Sequence, residues 1–313
     1  MQQLERWMRR RLLWVALVAA LGSLTTCSQG PPRSDAALAT IQRFAARGQI
    51  LLRSLGQDPS QQYLLYVPPR AVPGAHIFVT VHGISRNLEE HATLFAPFAE
   101  EHGVVLVAPF FTRDRNDGYQ RLEKGKAGQR ADLILNAIID EVSNTLGADG
   151  RKFYLFGFSG GAQFAHRYAM AHPDRVFGVV VGAAGWYTFP DPKTPYPYGL
   201  GASPERSNLR FDPGRFLHVP FTVLVGGDDV QGGESLRRNE FVDVQQGTTR
   251  LERARRWVDA MNRAAKSRGL PPPATYYSVP GIEHSFGQFM RKGGLGERVF
   301  DTLFQPASAG AHP

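Results

Sequence analysis

From about residue 60 to residue 304 the chain alternates short apolar runs with longer stretches of helical period. The runs that read as strands are Tyr63–Val67, His76–Val81, Val104–Ala108, Phe153–Phe156, Phe177–Val181, Phe221–Val225 and Ala274–Val279, each β-branched or aromatic and bounded by Gly or Pro. Several are continuously apolar, as in VVLVA and VVV, which suits strands covered on both faces. Helical patterns occupy Leu88–His102, Ala131–Leu146, Gly161–His172 and Thr249–Ser267. In the second, Ile134, Ile138 and Val142 recur every four residues with Leu135, Ile139 and Leu146 beside them, a helix face and not a strand period. Strands and helices in this order predict an α/β fold with a mostly parallel central sheet and helices on both sides.

One stretch interrupts the alternation. Trp186 to Pro220 holds seven prolines, together with Trp186, Tyr187, Phe189, Tyr196 and Tyr198, and shows no period. Connections of this length in a domain are usually functional. The expectation is an ordered, lid-like insertion or cleft wall that offers an apolar or aromatic acyl site, with ordinary surface packing as the other reading.

Composition narrows the class. The 313 residues are 42% hydrophobic and 20% charged, as in globular proteins, and long enough to bury a large core. Of the formal charge of +8, three units come from Arg6, Arg9, Arg10 and Arg11 against Glu5, and the remaining five are too diffuse to argue for nucleic acid. A single cysteine allows no disulfide within the chain.

The N-terminus reads as an address. Its arginines precede Leu12 to Leu24, thirteen mostly apolar, uncharged residues, a length suited to a signal-peptide core and short for a membrane span. Leu-Thr-Thr-Cys27 follows and resembles a bacterial lipoprotein signal, with Leu24 in keeping and Thr26 atypical. Residues 1–26 are therefore expected to be a signal peptide, with Cys27 a candidate site of lipid attachment to a membrane. Plain secretion and an uncleaved anchor are the alternatives, and all three put the domain outside the cytoplasm. Residues 27–36 read as a linker, 37–304 as a single domain and 305–313 as a tail.

The chemistry concentrates at Gly157-Phe-Ser159-Gly-Gly161, where an apolar run leads into Gly-x-Ser-x-Gly and then a helical pattern. At such a strand-to-helix turn the serine takes a strained backbone and projects above the sheet, glycines two residues to either side relieve clashes, and the helix N-terminus faces developing negative charge. A serine hydroxyl needs a base and an orienting group. His284, in the loop after the last strand (Pro280-Gly-Ile-Glu-His284), is the candidate base; His218 and His312 are not placed for it. Gly226-Gly227-Asp228-Asp229 after the preceding strand offers the carboxylate. Its loop spacing favours Asp229 and leaves Asp228 open.

The order Ser159, Asp229, His284 resembles that of the α/β-hydrolases, over roughly residues 60–304, and within that superfamily the chain is most similar to secreted esterases of the polyhydroxybutyrate depolymerase and feruloyl esterase type. The resemblance implies a carboxylesterase acting on a small-molecule or polymeric ester, with no cofactor. It also implies that the backbone N–H groups of Ile84 and Gly160 hold the oxyanion, since His82-Gly83-Ile84 resembles the superfamily's oxyanion loop, and that His82 itself is structural. Depolymerases often carry a separate substrate-binding domain and secreted relatives often carry disulfides. Neither is visible in this chain. A serine peptidase or amidase on the same fold, and a non-catalytic lipoprotein on a hydrolase scaffold, remain as alternatives. Oligomeric state is not legible.

Weaker signals stand beside these. Gln246–Arg253 opens a charged helix, read as a solvated amphipathic face or as part of the site's rim. Arg113 to Asp117 follow a strand, where ligands gather in α/β folds, and read as cleft lining or as a surface loop. Lys124-Gly-Lys126 lacks P-loop spacing, and Glu89-Glu90-His91 is no metal motif.

Overall fold

A computed structural model describes residues 46–126, 128–204, 208–230 and 236–304. The expected signal peptide, Cys27, the linker and the tail lie outside the described residues.

The described chain runs β1 (Ile50–Leu55), β2 (Asp58–Tyr66), β3 (His76–Val81), α1 (Leu88–His102), β4 (Val105–Phe110), α2 (Ala131–Leu146), β5 (Asp149–Phe158), α3 (Gly160–Ala171), β6 (Val176–Gly182), α4 (Pro213–Phe216), β7 (Phe221–Gly226), α5 (Glu240–Gln246), α6 (Arg250–Lys266), β8 (Ala274–Val279), α7 (Phe286–Lys292) and α8 (Leu295–Phe304). The eight strands form one sheet in the order β1-β2-β4-β3-β5-β6-β7-β8. β1 pairs antiparallel with β2, and β2 with β4; all the other pairings are parallel. The mostly parallel sheet expected from the strand–helix alternation is present.

The continuously apolar strands follow from a sheet with two cores. On β3, Ile77, Val79 and Val81 enter one core while Phe78 enters the other. On β5, Phe153 and Leu155 face the first and Phe156 and Phe158 the second. With side chains alternating every residue and both faces covered, no position can be polar at low cost. The first core holds the buried faces of α2, α3 and α6, the second those of α1, α7 and α8.

β1 and the short or glycine-flanked helices α4, α5, α7 and α8 lie outside the elements predicted from the sequence. β1 packs at the sheet edge, half-buried on both faces, so it lacks the alternation that marks a strand. It meets β2 through a two-residue turn, Leu55 opposite Asp58. α7 and α8 contain or adjoin Gly287, Gly293, Gly294 and Gly296, which depress helix propensity, and packing forms them nevertheless.

The insertion from Trp186 to Pro220 is a long connection with one short helix. Tyr187 stacks on Trp257 of α6 at 5.1 Å, Tyr196 packs on Phe211, and Trp186 lies 4.1 Å from the buried Arg167 guanidinium on α3. The rigid aromatics therefore fill the body beside α3 and α6.

Candidate active site

The serine turn is a consequence of backbone crowding. Ser159 follows β5 directly and holds φ 54°, ψ −111°, a region that a residue with a side chain occupies only under strain. Its N–H donates to Gly182 O on β6 at 2.7 Å, which ties the turn to the neighbouring strand. A Cβ on Gly157 would lie 2.1 Å from Gly161 O, and one on Gly161 would lie 2.0 Å from Val81 O. Both are collisions with backbone, which cannot swing aside, so the spacing of the motif is a packing requirement.

His284 and Asp229 reach Ser159 from the loops that follow β8 and β7. His284 Nε2 lies 3.0 Å from Ser159 Oγ, and His284 Nδ1 lies 2.9 Å from Asp229 Oδ2. A carboxylate can only accept, so Nδ1 carries the proton and Nε2 is left to accept from the serine hydroxyl. Phe158 stacks on the imidazole at 5.3 Å. Asp229 is buried and Asp228 beside it is exposed, with only Asp229 directed at the histidine. The second oxygen of Asp229 accepts from Arg250 Nη1 at 2.8 Å.

The loop after β3 is held just as tightly. Phe111 N–H donates to His82 Nε2 at 3.1 Å, so His82 Nδ1 carries the proton and donates to Gly83 O at 2.8 Å. Burial pushes the His82 pKa down to about 4, and the ring is a neutral strut. Tyr119 Oη donates to His82 O at 3.0 Å, while Arg86 Nε and Nη1 donate to Phe111 O and Ile84 O, each at 2.9 Å. Ile84 and Gly160 meet at this corner. A Cβ on Gly160 would lie 2.7 Å from Tyr119 Oη and 3.2 Å from Ile84 N. Glycine there keeps open the space between the two amides implicated as oxyanion donors.

Beside Ser159 and His284 lies a cavity of about 340 Å³. Ile84, Phe158 and Phe286 give it apolar surface, while Asn87, Glu90 and Arg291 give it polar surface. Asn87 Nδ2 donates to Glu90 at 2.7 Å, and Arg291 lies 3.7 Å from the same carboxylate. Neither Arg113–Asp117 nor the aromatics of the insertion line this cavity, so the apolar acyl wall expected of the insertion is not found around it. The proline-rich segment is committed to packing, with Trp257 Nε1 donating to Thr188 O and Gln246 bracketing the backbone of Tyr187.

Arg250 escaped the sequence reading, in which residues 246–253 were a charged helix opening. The signal was its phase. The buried stripe of α6 runs Ala254, Trp257, Val258, Met261, Ala265, and Arg250 and Arg253 continue it toward the N-terminus. A cation on the apolar stripe of a helix must have a buried partner.

No protein-family model matches the chain. It is 30% identical over 177 residues to a feruloyl esterase B from Talaromyces funiculosus, covering 54% of this chain and 47% of that protein. To a feruloyl esterase B from Talaromyces stipitatus it is 27% identical over 173 residues, covering 53% and 46%. The chain thus spans about half the length of these curated relatives. Among solved structures it superposes on a poly(3-hydroxybutyrate) depolymerase from Bordetella parapertussis with a TM-score of 0.69 at 24% identity, over 86% of this chain and 94% of that one. A poly(aspartic acid) hydrolase from Sphingomonas sp. KT-1 matches with the same TM-score at 22% identity, over 82% and 100%.

Proposed function

We propose, from the premise that this chain has the α/β-hydrolase fold, that it is a serine hydrolase cleaving ester bonds through an acyl-enzyme. The observation that carries the reading is the unbroken relay from Ser159 Oγ to His284 Nε2 at 3.0 Å and from His284 Nδ1 to Asp229 at 2.9 Å. The likeness to feruloyl esterases supports an ester as the bond cleaved.

In this mechanism His284 Nε2 takes the Ser159 proton as Oγ bonds to the ester carbonyl carbon. The carbonyl electron pair moves onto oxygen, where the Ile84 and Gly160 amides stabilise it. Collapse expels the alcohol, which receives the proton from His284. Water then repeats the sequence, giving its proton to His284, releasing the acid and returning the proton to Ser159. Asp229 keeps the imidazole in the productive tautomer and stabilises its charged form. Each oxyanion donor contributes about 3–4 kcal/mol to such transition states.

The test is turnover of p-nitrophenyl esters by the wild type and by Ser159→Ala. The wild type should be active and the variant inactive with its fold intact, whereas wild-type rates in the variant would refute the assignment. Running matched esters and amides decides between an esterase and an amidase. The Arg-rich start, the apolar segment and Cys27 support an extracytoplasmic, lipid-anchored site of action. Mass spectrometry of the mature N-terminus tests it: a diacylglyceryl Cys27 supports the anchor, and an unprocessed Met1 contradicts it.

A further inference from the structure

We infer that Arg250 is a positioning residue, clamping Asp229 in the orientation that holds the His284 imidazole toward Ser159. The inference rests on the acyl-transfer reading above. Arg250 is the first residue of α6, and its backbone is held by a capping box. Thr249 Oγ1 accepts from Glu252 N–H at 3.2 Å, while Glu252 Oε2 accepts from Thr249 N–H at 3.3 Å. From that anchored turn the side chain reaches Asp229, with the guanidinium 2% and the carboxylate 1% exposed.

The division of the carboxylate is what matters. Oδ1 accepts from Arg250 at 2.8 Å and Oδ2 from His284 at 2.9 Å, so rotating Asp229 away from the imidazole also breaks a buried, charge-assisted contact.

Other ionisable groups face the pair. Tyr187 from the insertion faces both Asp229 and Arg250, with Tyr276 of β8 near it, and burial pushes the Tyr187 pKa up, which keeps it neutral. Arg253, one turn further along α6, is engaged with Asp243 at 2.7 Å. Across the cavity Glu90 and Arg291 face each other. Asp228 and Glu283 are exposed neighbours in sequence, screened by water. Arg250 is the cation that touches the carboxylate.

The test is kcat and KM on a p-nitrophenyl ester for wild type, Arg250→Met and Arg250→Lys, with Ser159→Ala as control. Alongside it, the rate constant of labelling by a fluorophosphonate is measured, which counts only folded molecules and separates lost stability from altered chemistry. Arg250→Met should lower kcat and the labelling rate constant about 10- to 100-fold with KM little changed. Arg250→Lys, which keeps a cation beside Asp229, should recover most of that loss. A wild-type kcat and labelling rate in Arg250→Met, or no recovery in Arg250→Lys, overturns the inference while inactive Ser159→Ala leaves the acyl-transfer reading standing. Full turnover by Ser159→Ala would instead overturn that reading and this one with it.

Discussion

Two aspartates among the described residues are each gripped by an arginine and a histidine. At the site, Asp229 lies between Arg250 and His284; on the flank of the first core, Asp132 lies between Arg130 and His172. Burial does not distinguish them, since the two aspartate side chains are 1% and 0% exposed and the two histidine side chains 22% and 20%. The difference is in what the partners leave over. Asp229 gives one oxygen to each partner, and the far nitrogen of His284 meets a serine on a strained turn. Asp132 Oδ2 takes both His172 Nε2 at 2.7 Å and Arg130 Nη2, and among the described residues His172 leads to no nucleophile; its ring packs on Tyr168. The same three side-chain types make a strut in one place and, in the proposed mechanism, a proton relay in the other, and the strained turn at 159 separates the two.

The largest effect that would sharpen this contrast is on rate. Asp229→Asn should lower kcat on a p-nitrophenyl ester by about 10⁴-fold, the scale seen when an orienting carboxylate is neutralised, and it also breaks the buried pair with Arg250. Asp132→Asn should lower stability without that loss of rate. Breaking a buried ion pair by removing one partner costs about 3–5 kcal/mol of stability, read as a lower denaturant midpoint, while turnover of the folded protein stays within about twofold of wild type. If both substitutions hit rate, or both hit stability alone, the two clusters are not different in kind.

The next effect depends on pH. His82, His91 and His166 are buried, and burial depresses the pKa of each, that of His82 from 6.5 to about 4. A histidine held neutral in the fold but free to protonate when unfolded gives stability that is complete above pH 6.5 and is lost as pH falls toward 4. For His82 this amounts to roughly 3 kcal/mol. Asp132 acts over a lower range. Burial opposes its ionisation, but hydrogen bonds from His172 and Arg130 outweigh that and hold its pKa below the usual 3.8, so its contribution persists until the pH drops past that value. Urea titrations should show stability falling between pH 6.5 and 4, and a flat profile there would contradict the strut role of the buried histidines. The smallest effect is at Asp228. Being exposed, Asp228→Asn should change stability by less than about 0.5 kcal/mol and leave turnover near wild type.

How much of this was legible in the sequence follows from what specifies each part. The serine turn was legible because it is dictated by backbone: two glycines are required where a Cβ would collide, and such requirements leave a local motif. The parallel sheet was legible because strands buried on both faces must be apolar throughout. Asp229 and Asp228 could not be told apart by spacing, because the choice depends on which carboxylate the loop buries toward His284. Arg250 was missed for a related reason: its partner is 21 residues away in sequence, and only the phase of α6 hinted at burial. The insertion left a lid or cleft wall and ordinary packing both open, because prolines and aromatics are common to lids and to cores. Its buried hydrogen bonds to Gln246 and Trp257 tie Tyr187 and Thr188 into the packed body.

Trapping the covalent intermediate tests the central claim most directly. The native protein is treated with a fluorophosphonate, digested, and the modified peptide sequenced by mass spectrometry. One adduct, on Ser159, absent after prior heat denaturation and strongly slowed in Asp229→Asn, is the result this account predicts. No adduct, or an adduct on another residue with Ser159 intact, would contradict it.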